Sequence, residues 1–305
     1  MSRHTLTLLG GLPDALRVSA AVLHEALGAL LEGARLATRF AVEGESVRKG
    51  PRPVWLDAAC DFAITGLSAG SAILALEAPT LREVDASRFG RSDEPLGEQT
   101  AVDLFGGVLA SLVEAPSDDI VADRALLEGC AKFARVSGGG FDGIRLEGLR
   151  GRSGPLLISS RDAVRIERLR DETPRSQAAR VAGTLDTVSA SRADIVLTLK
   201  DGTRVPGRME AHDLEALRAL LGREVVISGM AHYRPSGRLL LVDVEALALA
   251  RPEDSVFQRA PVARRQKVTI DLNSPSDAGG VSAFFGQWPG EETDSELLKS
   301  LQALE

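Results

Sequence analysis

From residue 181 to residue 246 the chain reads strand, strand, strand, helix, strand, strand, and no other feature constrains the fold as much. The strands fall at 181–188, 194–199, 203–209, 224–233 and 238–246, where apolar residues alternate with polar ones or run on between turn residues. Asp201-Gly202 sits between the second and third, and Asp-Gly is a hairpin-turn pair because such turns need backbone with positive φ. Pro235-Ser236-Gly237 turns the chain between the last two strands. A short helix at 213–222, closed by Gly222, separates the third strand from the fourth. That order of elements, in about seventy residues, is the order of a small Greek-key barrel.

With those residues in view, the region at 178–250 resembles an OB-type barrel. Barrels of that type that bind single-stranded nucleic acid need aromatic platforms and a basic groove. This one has Tyr233 as its only aromatic residue. Arg204 and Arg208 lie on one strand and Arg234 lies near a turn, so these three are candidates for contact with a phosphate backbone of DNA or RNA. Arg264, Arg265 and Lys267, in the linker that follows, add a second basic cluster. Acidic residues balance them, and the net charge of −7 argues against a surface that grips nucleic acid throughout. A barrel that serves as a structural or protein-docking module fits better.

The residues ahead of the barrel, 1–170, read as an α+β domain. A strand at 4–9 precedes a helix at 14–40, striped with Leu16, Leu23, Leu27, Leu30 and Leu36. His24 lies on that helix and reads as a surface histidine. Strands are expected at 54–64 and 72–77, which would place Asp57 and Asp61 on one strand face; a solvated face explains them better than a metal does. Helices follow at 101–114 and from Asp118 and Asp119 to about 136, the two aspartates serving as caps. Gly138-Gly139-Gly140 comes after a helix, not between a strand and a helix with a Lys-Ser/Thr pair, so it ends the helix and does not cradle a phosphate. Strands at 143–149 and 155–168 complete the domain, and a polar linker at 171–177 leads to the barrel.

After a flexible linker at 251–280 comes a tail of different character, 281–305. It holds Phe284, Phe285 and Trp288, then a break at Pro289-Gly290. Thr293 and Glu296 have the spacing of a capping box ahead of Leu297, Leu298, Leu301 and Leu304. A helix this short is unstable alone in water, so it is expected to form on a partner surface. Five acidic residues (Glu291, Glu292, Asp294, Glu296 and Glu305) stand against Lys299 alone, which suits a basic groove.

Taken together, Phe284-Phe285-Gly286, Trp288-Pro289-Gly290-Glu291-Glu292-Thr293-Asp294, Glu296 and the leucines resemble the toxin-binding tail of VapBC-class antitoxins. The partners of that family are PIN-domain ribonucleases. The resemblance implies that Phe284, Phe285, Trp288, Pro289, Glu291, Glu292, Asp294, Leu297, Leu298 and Leu301 bind such a ribonuclease and block its acidic, Mg²⁺-binding site. It covers only the tail. Those antitoxins carry a small DNA-binding domain where this chain has an α+β domain and a barrel, and many send an arginine into the toxin where this tail has only Lys299.

The expectation is therefore an α+β N-terminal domain, a five-stranded OB-like β-barrel and an extended C-terminal tail. The chain would act as a non-enzymatic antitoxin-like protein, without cofactor or metal, whose domains scaffold, homo-oligomerise or sense a signal. The alternative is a single-stranded nucleic-acid-binding barrel whose tail recruits a processing partner. Cys60 and Cys130 form no ligand-spaced cluster, which speaks against a zinc site or a disulfide framework. His24 and Glu25 interrupt the apolar stretch at 19–31, so no membrane span is expected and the cytoplasm is the expected compartment.

Overall fold

A computed structural model describes residues 1–10, 19–48, 50–68, 72–90, 95–138, 141–189, 194–209 and 214–263. They belong to one unit, Met1–Gln266. The first part holds β1 (Ser2–Leu9), α1 (Ala20–Glu43), α2 (Val54–Ala59), β2 (Ala63–Ser68), β3 (Ala72–Ala78) and the short α3 (Leu81–Val84) and α4 (Ala86–Phe89). It continues with α5 (Ala101–Glu114), α6 (Arg124–Arg135), β4 (Gly143–Glu147), β5 (Leu156–Ser159) and α7 (Ser160–Glu172). The second part holds β6 (Gln177–Ser189), β7 (Asp194–Thr198), β8 (Arg204–Met209), α8 (Leu214–Ala219), β9 (Glu224–Tyr233) and β10 (Leu239–Leu249).

The first five strands form an antiparallel sheet in the order β2-β3-β1-β4-β5. Side chains alternate across a sheet, so in-register leucines make a row on one face. Leu6 is paired with Leu74 on one side and Leu146 on the other, and Leu146 with Leu156. All four are fully buried, in one core with α1, α5, α6 and α7. On the opposite face Arg3 is bonded across the strands to Glu77 at 2.8 Å.

Helix α1 ends where Gly44 takes up φ 77° and its N–H bonds to the Phe40 carbonyl at 2.7 Å, a left-handed cap that glycine adopts without strain. Its packing on α5 also depends on a glycine. A Cβ on Gly33 would lie 2.3 Å from the Phe105 ring.

Three expectations change here. Residues 54–59 are helical, and the strand starts only at Ala63. Leu56 and Ala59 are buried three residues apart while Val54 is exposed, a helical spacing that the apolar run disguised. Asp57 and Asp61 therefore share no strand face, and Asp57 is held by Arg52 at 2.9 Å. The expected strand at 155–168 stops at Ser159, because Asp162 accepts from the Ser159 N–H (2.8 Å) and hydroxyl (2.7 Å) and starts α7. The cap of α6 is Asp123, whose carboxylate accepts from the Leu126 N–H at 2.8 Å, not Asp118 or Asp119.

The second part is a closed barrel in the order β10-β8-β7-β6-β9, with β8 and β10 parallel and the other pairs antiparallel. It buries its own core of Val181, Leu185, Ile195, Leu197, Val205, Val225, Ile227 and Val242. A 3₁₀ turn at Pro252–Phe257 folds back on β6, where the Arg180 guanidinium stacks 4.7 Å from the Phe257 ring and reaches Asp254 at 3.3 Å. None of the described helices is long and apolar enough to cross a membrane.

Candidate functional site at the junction with the barrel

The tail residues Phe284 to Leu301, and Arg264, Arg265 and Lys267, lie outside the described residues. The structure places three of the candidate side chains. On β8, Val205 and Gly207 point into the barrel, so Arg204, Pro206 and Arg208 point outward. Arg204 is exposed and pairs with Asp186 at 3.2 Å. Arg234 lies at the turn between β9 and β10, with its Nε enclosed. Arg208 departs from expectation: its side chain is 7% exposed and does not face solvent. The C-terminal end of α1 covers it.

That cover is built from charge. The Arg208 Nη1 lies 2.8 Å from the Glu45 carboxylate, and its Nε lies 3.3 Å from Asp194 on the facing strand. The Glu45 contact is a charge pair outside hydrogen-bond alignment. A Cβ on Gly44 would lie 3.4 Å from the Arg208 Nη2 and 3.9 Å from Leu241, so the helix cap abuts the barrel wall. The carbonyl end of a helix is negative, which adds to the attraction for a guanidinium there.

The loop that carries Glu45 is itself anchored. Asp123 accepts from the Ser46 N–H (2.7 Å) and hydroxyl (2.5 Å) as well as capping α6. The next residue, Arg124, donates to the carbonyls of Arg170 (2.9 Å) and Thr173 (3.0 Å), closing the end of α7 where the chain leaves for the barrel. Beside these groups is a cleft of about 360 Å³ lined by Glu45, Asp123, Arg124, Ser176, His232 and Tyr233. Ser176 and His232 are hydrogen-bonded at 3.0 Å, and burial raises the Tyr233 phenol above its ordinary pKa. Glu45 and Asp123 carried no sequence motif, although Gly44 after a long apolar helix marked where the loop begins.

A larger groove, about 720 Å³, runs along α1 past His24, Arg35, Arg39, Arg52 and Lys132. Its cations already face carboxylates: Arg35 and Arg52 share Asp57 (3.8 and 2.9 Å), Arg39 meets Glu43 (2.9 Å) and Lys132 meets Glu32 (2.5 Å). It is an ion-paired face with little free charge, and His24 is exposed on it.

Two further chemical groups belong to the core. Cys60 and Cys130 are free and buried, and burial pushes the Cys60 thiol up to about 12 and raises that of Cys130 as well, so neither is a nucleophile at neutral pH. His4 is 2% exposed, bonded to the Thr100 hydroxyl at 3.0 Å, with Asp103 nearby. Burial lowers the His4 pKa, and the Asp103 carboxylate only partly opposes that. The unfolded chain therefore binds the extra proton first as pH falls below 6.5, and stability drops until the folded His4 also titrates. Urea midpoints measured from neutral to mildly acid pH are expected to fall less steeply in His4→Gln than in the wild type; parallel curves would exclude His4 as a source of the acid sensitivity.

Among the described residues no group of three or more His, Cys, Asp or Glu is placed to hold a metal ion. Compared with known proteins, the chain matches no family model, no curated protein and no solved structure.

Proposed function

We propose that the chain is an antitoxin-like protein whose tail, 281–305, binds and inhibits a PIN-domain ribonuclease. One observation carries this reading: an aromatic anchor, a Pro-Gly break, an acidic capping box and a leucine stripe follow one another in a single run. Phe284, Phe285 and Trp288 supply the apolar contact, and Glu291, Glu292 and Asp294 supply charge for a basic groove. The ordering cost of a short helix is met by the partner's surface.

The barrel supports the docking side of this reading. Its strand order, with a helix between the third and fourth strands and the third and fifth parallel, is that of an OB-type barrel. On that barrel the outer face of β8 is occupied at Arg208 by Glu45, just past the end of α1. Of the arginine pair expected to track a nucleic-acid backbone, one is covered and the other is paired with Asp186, which disfavours the nucleic-acid alternative. On our reading the barrel is a module that docks protein and carries the tail.

The test is co-expression with candidate PIN-domain ribonucleases from the same genome. The full chain is expected to co-purify with the ribonuclease and to restore growth, and the chain lacking 281–305 to do neither. Retention of both activities after that deletion would rule the reading out. Titration with single-stranded RNA at low salt is expected to show no binding that depends on Arg204.

A further inference from the structure

We propose that the first part and the barrel are two rigid bodies hinged at Pro174–Ser176 and held closed by the Arg208–Glu45 ion pair. The inference goes beyond the tail reading and does not depend on it.

Each part has an apolar core of its own. The core of the first part runs from Leu6 to Leu169 and that of the barrel from Val181 to Val244, and the two clusters share no residue. Bodies joined without a large apolar interface are expected to move relative to one another. Within the described residues the chain crosses between them once. On one side of the crossing Thr173 is fully buried, its hydroxyl bonded to the Leu169 carbonyl and its own carbonyl held by Arg124. On the other side Gln177 already pairs with Ala231 in the barrel. Between them the φ of Pro174 is fixed by its ring and Ser176 is bonded to His232, so Arg175 and its two flanking peptide units are left to absorb a change of angle.

What opposes opening is mainly charge. Glu45 and Arg208 are both nearly enclosed, and removing one partner leaves the other buried without that counter-ion, which is strongly unfavourable. The stranded charge regains water when the hinge opens, so loss of either partner favours the open form. Opening widens the cleft at Ser176, His232 and Tyr233 and uncovers Arg208 beside Arg204 on β8.

The test is a distance distribution from spin labels on the full chain, one on each body, at Arg161→Cys and Lys200→Cys. Both positions are exposed, and the native Cys60 and Cys130 are buried thiols that the label will not reach. The wild type is expected to give one narrow distance. Glu45→Gln and Arg208→Met are each expected to shift it longer and broaden it, and Arg204→Met, which leaves the ion pair intact, to keep the narrow form. Glu45→Gln changes no barrel residue, so its effect can be read even where Arg208→Met disturbs the barrel. A distribution that is already broad in the wild type, or unchanged in Glu45→Gln, overturns the proposal.

Discussion

Replacing Asp123 with alanine is expected to cost about 3–5 kcal/mol of stability, because three donors lose one charged acceptor at once. The carboxylate takes the Ser46 N–H, the Ser46 hydroxyl and the Leu126 N–H at 2.5–2.8 Å, and the residue is 8% exposed. Water cannot readily replace it there. The loss combines a helix cap, about 1 kcal/mol by itself, with two buried donors left unpaired. Asp123→Asn should fall between, since the amide has one acceptor oxygen where the carboxylate has two. Urea denaturation followed by helical circular dichroism measures both. An Asp123→Ala loss within the range of an ordinary surface change, about 0.5 kcal/mol, would show that Ser46 is not tethered. Ser46 follows Glu45 directly, so the same variant should also broaden the spin-label distance across the junction.

Phe105→Ala is expected to be comparably severe, about 3–5 kcal/mol, through the cavity it leaves in the centre of the helical layer. Phe105 is fully buried, meets Phe133 edge-on with ring centroids 5.3 Å apart, and presses on Gly33 of α1. The Gly33 contact gives the prediction a second arm. Gly33→Ala alone should cost about 1–3 kcal/mol by overpacking, since its methyl group would enter the ring. Trimming the ring in Phe105→Leu makes room for that methyl, so Gly33→Ala with Phe105→Leu should cost less than the sum of the two single changes. Additive losses would mean that the two helices do not meet at this pair.

The part of the fold readable from residue order was the part set by local chemistry. Alternating strands, Asp201-Gly202, Pro235-Ser236-Gly237 and a glycine-closed helix pointed to a small barrel, and the five strands do close. The helix expected to end near Phe40 runs on to Glu43, where Gly44 caps it. Where reading by pattern went astray, helix and strand were locally close in merit. Residues 54–59 are apolar enough for either, and only Leu56 and Ala59 turning together toward a neighbour decides for the helix. At 159–162 a Ser-x-x-Asp capping box was the signal that the strand had ended.

The junction is a different case, because no local pattern contains it. Ser46 and Asp123 are 77 residues apart, and Glu45 meets an arginine from the barrel. Arg208 on a strand beside Arg204 is, as sequence, a basic row ready for an anion. Only the docking of α1 against β8 turns it into a buried counter-ion. Sequence by itself determined the order of elements in the barrel and the chemistry of the tail, because those follow from periodicity, turn residues and caps a few positions apart. Which charges are covered, which aspartate caps a helix, and where the end of α1 meets the barrel were decided by tertiary structure alone. Burial and ion pairing depend on what distant parts of the chain bring to the same place, and local patterns do not record that.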